Sequence, residues 1–370
     1  MRFKFVLSFG LILSLSIPVS VLAGPPDGRR VNVNSRVRTT SFGIPHVDGP
    51  NWASLGYGLG YAYARDNICI LAREIVTARG EDAKYFGPSS GNLSRSFLYS
   101  LTSRDSELER LFDLQPRPLQ DMVHAYAAGY NRYLAETGAE NLPAACVGQP
   151  WVRPITAGDL SAVYAKGNTR ASVSPLRSAI VNAAPPVATP SPAPLSFSLS
   201  FGSASAPPAL DLSGIQSLLN INREFDGGSN AYGLGSNVTE NGRGMLLGNP
   251  HEPWNGISRF YEAHLTMPGR FDVMGVTQIA LPVIVIGFNK DVAWSHTIST
   301  AKRFTIYELT LDPADPLSYL VTDDDGNVQR HAIQPVTVSI EVLGEAPRQH
   351  TFYRSHFGWM IDLRSVAGAV

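Results

Sequence analysis

The sequence predicts an α+β fold in which a mainly helical first part precedes a strand-rich second part. Three observations carry that prediction. Apolar residues recur every three to four positions through much of residues 24–170; an Ala-, Pro- and Ser-rich stretch follows; and from Ser229 short β-branched or aromatic runs alternate with Gly, Pro and Asn. At 370 residues, 44% hydrophobic and 16% charged, the chain is long enough and apolar enough to bury a sizeable core.

Residues 1–23 read as an export signal: Arg2 and Lys4, an apolar run from Phe5 to about Ile17, then Val21-Leu22-Ala23 before a cut. The competing reading, a membrane anchor, is disfavoured by Gly10, the serines and Pro18, which leave the run short of the roughly 20 residues a span needs. Export places the protein in the periplasm or outside the cell. Losing residues 1–23, with two cations and no acid, moves the net charge from −1 to −3. That near-neutral balance carries no basic stripe for nucleic acid or anionic membrane. Cys69 and Cys146 are the only cysteines, and in an exported protein one disulfide between them is the simplest expectation.

Residues 24–40 read as an extended polar lead-in, and Ser41–Val47 as a strand with a turn set by Gly43 and Pro45. Helix is predicted from Trp52 through Arg79, where Ile68, Leu71 and Ile75 share a face, and again from Leu108 to Leu134. The stretch 171–228 is assigned to spacer and linker. Its core, Ala183-Ala184-Pro185-Pro186 to Pro190-Ser191-Pro192-Ala193-Pro194, lacks the apolar surface that would offset its ordering entropy. A short helix is expected after Asp211. Strands follow at Ser229–Leu234, Gly244–Gly248, Ser258–Leu265, Val273–Val276, Val283–Phe288 and Val292–Thr297. The consecutive apolar residues Pro282-Val283-Ile284-Val285-Ile286 suit a strand covered on both faces.

The chemistry concentrates at Asp226-Gly227-Gly228-Ser229-Asn230-Ala231-Tyr232, where a serine opens a strand just after the linker. If Oγ of Ser229 attacks the Gly228 carbonyl, the resulting ester is cut by water and leaves a serine with a free α-amine. With an ordinary pKa of about 8 that amine serves as the base for its own hydroxyl. Taken alone, Gly-Gly-Ser-Asn reads as a turn before a strand. Gly248-Asn249-Pro250-His251 then puts an imidazole at a turn, and Ile286-Gly287-Phe288-Asn289 followed by Ala293-Trp294-Ser295-His296-Thr297-Ile298 reads as a hairpin return able to present backbone N–H groups. On the residues alone, His251 reads as a solvated turn histidine and His296 as a structural hydrogen-bonding residue.

In that order and spacing, Gly228-Ser229-Asn230-Ala231, Asn249-Pro250-His251 and the two segments of the return resemble the start of the catalytic subunit of penicillin acylase-type N-terminal-nucleophile hydrolases, nearest the acyl-homoserine-lactone and aculeacin acylase branch. Phe42-Gly43-Ile44-Pro45-His46-Val47, Tyr57 to Asn67 and Tyr126-Ala127-Ala128-Gly129-Tyr130-Asn131 resemble the smaller subunit. The resemblance implies a four-layer αββα fold and a precursor cut at Gly228–Ser229. It further implies excision of a spacer and two chains that stay associated: a helical small subunit (24–170) and a catalytic one (229–370). It assigns Ser229 as nucleophile, His251 to assisting the cut and orienting the serine, and the Ile298 N–H as one oxyanion donor. The reaction is hydrolysis of an N-acyl amide without a cofactor.

Ser229 to Val370 is 142 residues, several times shorter than the family's catalytic subunit, so the fold is expected to be incomplete in this chain. The second oxyanion donor, an asparagine side chain, falls beyond Val370, in the missing C-terminal part of the catalytic subunit. Ser299-Thr300-Ala301-Lys302-Arg303 offers no calcium-binding acids, so no metal is expected. Glu252 stands where relatives place an aromatic acyl-pocket residue, which leaves acyl length open. The expected substrate is an N-acyl compound, with acyl-homoserine lactones ahead of β-lactams or lipopeptides. The other readings are an inactive truncated remnant serving as a binding module and an unrelated secreted α+β binding protein.

Overall fold

The computed structural model describes residues 32–170, 172–185, 228–278, 280–299 and 303–362. The expected signal peptide, most of the linker and the expected helix after Asp211 lie outside the described residues. In chain order the helices are α1 (Trp52–Ala78), α2 (Asp82–Phe86), α3 (Ser90–Thr102), α4 (Asp105–Asp113), α5 (Arg117–Thr137), α6 (Ala157–Thr169) and α7 (Arg177–Val181). Two units result, the first made of the described residues of Met1–Arg79, Ser103–Lys166 and Gly227–Ser299, the second of those of Gly80–Thr102, Gly167–Asp226 and Thr300–Val370.

In the first unit, Asn51 caps α1 by accepting the Ser54 N–H at 2.8 Å. The Ser54 hydroxyl in turn accepts the Asn34 N–H at 3.0 Å, tying the lead-in to the helix start. Leu55, Leu59, Ile68, Leu71 and Ile75 of α1 are buried, each contributing about 1.5–3 kcal/mol by leaving water. α1 and α5 cross at glycines. A Cβ on Gly56 would stand 2.3 Å from the Met122 carbonyl oxygen, on Gly60 2.2 Å from that of Tyr126, and on Gly129 2.1 Å from that of Tyr57. The predicted helix 108–134 is two helices, because Pro116 and Pro118 withhold N–H groups and restart the chain as α5. A bond joins Cys69 to Cys146, with Cα atoms 5.4 Å apart.

A six-stranded sheet lies against α1, in the order β1 (Arg36–Thr39), β2 (Pro45–Asp48), β5 (Tyr261–Met267), β6 (Phe271–Thr277), β7 (Ile286–Phe288), β8 (Ala293–Trp294). All pairs are antiparallel except β2–β5, where His46 faces His264 in a parallel register. β5 buries Ala263, Leu265 and Met267 at alternate positions, and Val47 is fully buried on β2. Two expectations change here. The strand of the lead-in ends before Thr40, and Gly43 (φ +87°) turns it into β2, so 41–47 is a hairpin corner rather than one strand. Pro282–Ile286 is mostly irregular and leaves Val283 39% exposed, so it is no doubly covered strand.

A separate two-stranded ribbon pairs β3 (Ser229–Leu234) with β4 (Met245–Pro250). Its side chains are largely in solvent, including Tyr232, Leu247 and Met245.

The second unit has two three-stranded sheets. One is β11 (Val328–Ala332), β10 (Asp315–Thr322), β9 (Thr310–Asp312); the other is β12 (Gln334–Ile340), β13 (Arg348–Ser355), β14 (Gly358–Trp359). Its core gathers Phe97, Leu98 and Leu101 of α3 with Leu176, Ile180, Ile340 and Phe352. Residues 174–181 therefore pack as a helical turn and α7, not as linker: Leu176, Ala179 and Ile180 supply the apolar side chains that the Pro-rich stretch after them lacks. Among the described residues no helix is long and apolar enough to cross a membrane.

Candidate active site

Ser229 is the first residue of β3, and the register pairs it with Pro250, the last of β4. The ladder runs one step further, where the His251 N–H donates to the Gly228 carbonyl at 3.0 Å. The Ser229 hydroxyl donates to that same carbonyl at 2.5 Å. One peptide carbonyl thus receives two donors, one of them the group placed to attack it. Hydrogen bonds from both sides polarise the carbonyl, and a backbone N–H on its oxygen is the kind of donor that holds a tetrahedral oxyanion.

Strand alternation sends the Ser229 side chain to one face of the ribbon and those of Asn230 and His251 to the other. A Cβ on Gly228 would stand 3.4 Å from Nδ1 of His251, so the imidazole lies over the glycine and not beside Oγ. Nε2 of His251 is 3.3 Å from the Asn230 carboxamide nitrogen. The absence of a side chain at Gly228 keeps this approach open.

The return segment sits next to this ribbon for identifiable reasons. Asn289 accepts the N–H groups of Asp291 at 2.9 Å and Val292 at 2.8 Å, closing the turn between β7 and β8. Gly287 is required because a Cβ there would stand 2.5 Å from the Met274 carbonyl oxygen. Trp294 donates from Nε1 to the Val285 carbonyl at 3.0 Å. Ser295 then seats on β4, its Oγ 3.0 Å from where Gly248 would carry a Cβ.

Gly228, Ser229 and His251 are thus brought together. Ile298 lies in the irregular segment that leaves β8, 40% exposed, and no hydrogen bond links it to Ser229 among the described residues. His296, expected to make structural hydrogen bonds, is exposed and makes none among the described residues. Glu252 is half-buried. Among the described residues no group of three or more His, Cys, Asp or Glu is arranged to hold a metal ion. The contact of Asn230 with His251 went unread in the sequence. Its signal was available in the spacing, since a hairpin pairing Ser229 with Pro250 necessarily sets residues 228 and 230 beside 251 and 249.

The segment that follows β4 is also fastened to α1. Tyr261 on β5 donates to the Asp66 carboxylate at 2.7 Å, and Arg259 donates to Asn67, whose non-helical backbone (φ −142°, ψ 22°) kinks α1 at that point.

Residues 34–370 match the family model described as penicillin amidase. The chain belongs to the penicillin amidase family. It is 38% identical over 363 residues to the acyl-homoserine lactone acylase PvdQ of Pseudomonas syringae pv. syringae (strain B728a), covering 95% of this chain and 44% of the relative. It is 40% identical over 362 residues to the PvdQ of Pseudomonas fluorescens (strain Pf0-1), with 95% and 43% covered. With the aculeacin-A acylase of Actinoplanes utahensis it shares 39% over 365 residues, again with 95% and 43% covered. This member of the penicillin amidase family therefore spans less than half the length of these relatives. Among solved structures, a thermostable penicillin G acylase from Alcaligenes faecalis matches with a TM-score of 0.34 and 25% identity, covering 37% of this chain and 72% of that one.

Proposed function

We propose that this chain is the front portion of a self-cleaving amidohydrolase, cut between Gly228 and Ser229, that hydrolyses N-acyl amides through an acyl-ester on Ser229. The observation that carries the proposal is the Gly228 carbonyl held between the Ser229 hydroxyl and the His251 N–H. In the cut, Oγ adds to the carbonyl carbon, negative charge gathers on the oxygen facing the His251 N–H, and the C–N bond to Ser229 breaks. The hydroxyl proton passes to the departing nitrogen, which becomes the free α-amine, and water then hydrolyses the ester to release the Gly228 carboxylate and restore the Ser229 hydroxyl. In turnover that amine takes the hydroxyl proton, Oγ acylates on the substrate and the amine product leaves. Water attacks the acyl-ester, and the Ile298 N–H serves as an oxyanion donor. The names of the relatives favour acyl-homoserine lactones over β-lactams or lipopeptides, with loss of a quorum signal as the consequence. Export by residues 1–23, an αββα layering and a continuation of the catalytic subunit in further polypeptide belong to the same reading.

A second reading, a non-catalytic binding module, draws on the ribbon itself: Tyr232, Leu247 and Met245 are 60%, 57% and 54% exposed. A lone hairpin with apolar side chains in solvent is marginal without a cover. Intact-mass analysis of the purified chain separates the two. Fragments divided at Gly228–Ser229 in wild type and a single chain in Ser229→Ala support the enzyme; one uncut chain in both supports the module.

A further inference from the structure

We infer that Asn230 is a positioning residue for self-cleavage, one that fixes the proton of His251 on Nδ1; this rests on the cut at Gly228–Ser229 proposed above. The atom of Asn230 facing the ring is its carboxamide nitrogen, 3.3 Å from Nε2. A carboxamide nitrogen only donates, so Nε2 accepts and the neutral ring carries its hydrogen on Nδ1. Nδ1 is the ring nitrogen over Gly228, 3.4 Å from the position a Cβ would take there. The imidazole thus turns an N–H toward the peptide unit on which negative charge develops. Neither ring nitrogen is then free to act as base for the Ser229 hydroxyl: Nε2 is engaged, Nδ1 is already protonated, and Oγ lies on the opposite face of the ribbon. His251 works in the cut as a donor, through its backbone N–H and its Nδ1–H.

In wild type the contact with Asn230 keeps the hydrogen on Nδ1. Without Asn230 the neutral ring reverts to its intrinsically favoured Nε2–H form, the Nδ1 donor is lost, and cleavage slows.

Two measurements on the full chain test this. Nitrogen-15 NMR of His251 is recorded in the uncut Ser229→Ala chain, with and without Asn230→Ala. The expected result is an Nδ1–H tautomer that shifts toward Nε2–H when Asn230 is removed. An Nε2–H ring with Asn230 present, or the same tautomer in both, overturns the inference. The rate of self-cleavage is then measured in wild type and Asn230→Ala. Asn230→Ala is expected to lose about 10–100-fold. Equal rates in the two overturn the inference. If wild type does not cut at all, the proposed maturation fails, and the NMR tautomer alone still decides the role of Asn230.

Discussion

The hydroxyl of Tyr261, on strand β5, donates to the Asp66 carboxylate of helix α1 at 2.7 Å, across 195 residues of sequence. The neighbouring Tyr63 ring packs edge-on to Tyr261, with centroids 5.0 Å apart. Burial and Asp66 push the Tyr261 hydroxyl far above its ordinary pKa, so it stays a donor across the working pH range. These contacts join the part of the chain before residue 228 to the part after it.

Loss of this fastening is expected to loosen the first unit. A hydrogen bond to a charged group contributes about 1.5–3 kcal/mol. Tyr261→Phe should lower the unfolding free energy, read from denaturant titration, by an amount in that range, and Asp66→Ala by more, since it also releases Arg65, whose guanidinium lies 2.8 Å from Asp66. In cut protein the same variants should shed the helical fragment more readily on size exclusion.

Glycines at the α1–α5 crossing make a second case. Alanine is the better helix former by about 1 kcal/mol. At Gly56 and Gly60 that gain is outweighed, because the new Cβ would press within 2.3 Å and 2.2 Å of carbonyl oxygens on the partner helix. Gly56→Ala and Gly60→Ala should each destabilise by about 1–3 kcal/mol. Gly167→Ala in α6, with open space around it, should stabilise by up to about 1 kcal/mol, and thermal unfolding of the three variants compares them directly.

His46 sets a pH dependence. Burial foremost, then His264 and Arg38, hold its pKa below 6.5, against weaker opposing pulls from Asp48 and Glu262. The unfolded chain binds this proton at a higher pH than the folded one does. Stability is therefore greatest above about pH 6.5 and declines as pH falls from there to the lowered folded value. His46→Gln should flatten the slope of melting temperature against pH between about 7 and 5. An unchanged slope would assign it to other groups.

Tyr126 and Tyr130 are fully buried in α5, and neither hydroxyl has a hydrogen-bond partner among the described residues. An unsatisfied buried polar group costs about 1–3 kcal/mol. Tyr126→Phe and Tyr130→Phe should therefore melt at the wild-type temperature or above it, in contrast to Tyr261→Phe.

The readable parts of the fold were those in which one residue pattern dominates. The apolar spacing of Ile68, Leu71 and Ile75 marked α1, and Gly228 followed by Ser229-Asn230-Ala231-Tyr232 marked where β3 begins. What escaped depends on partners distant in sequence. Leu176 and Ile180 resemble linker until their neighbours in space are considered: Phe97 and Leu98 of α3, with Phe352 of β13, provide the core that makes 174–181 helical. Val283–Ile286 has strand composition but lacks a partner for most of its length, so composition alone overestimated it. At the site, the nucleophile and scissile carbonyl were legible because they are adjacent, whereas the face on which the His251 ring lies emerges only from the hairpin register.

Cys69 and Cys146 both lie upstream of Gly228, so the disulfide closes a loop inside the helical part and never crosses the expected cut. Maturation would then leave no covalent tether between the products. A denaturing gel run without reductant should separate them as fully as one run with it, and a helical fragment prepared in oxidised form becomes a reagent that can be exchanged between differently substituted catalytic fragments.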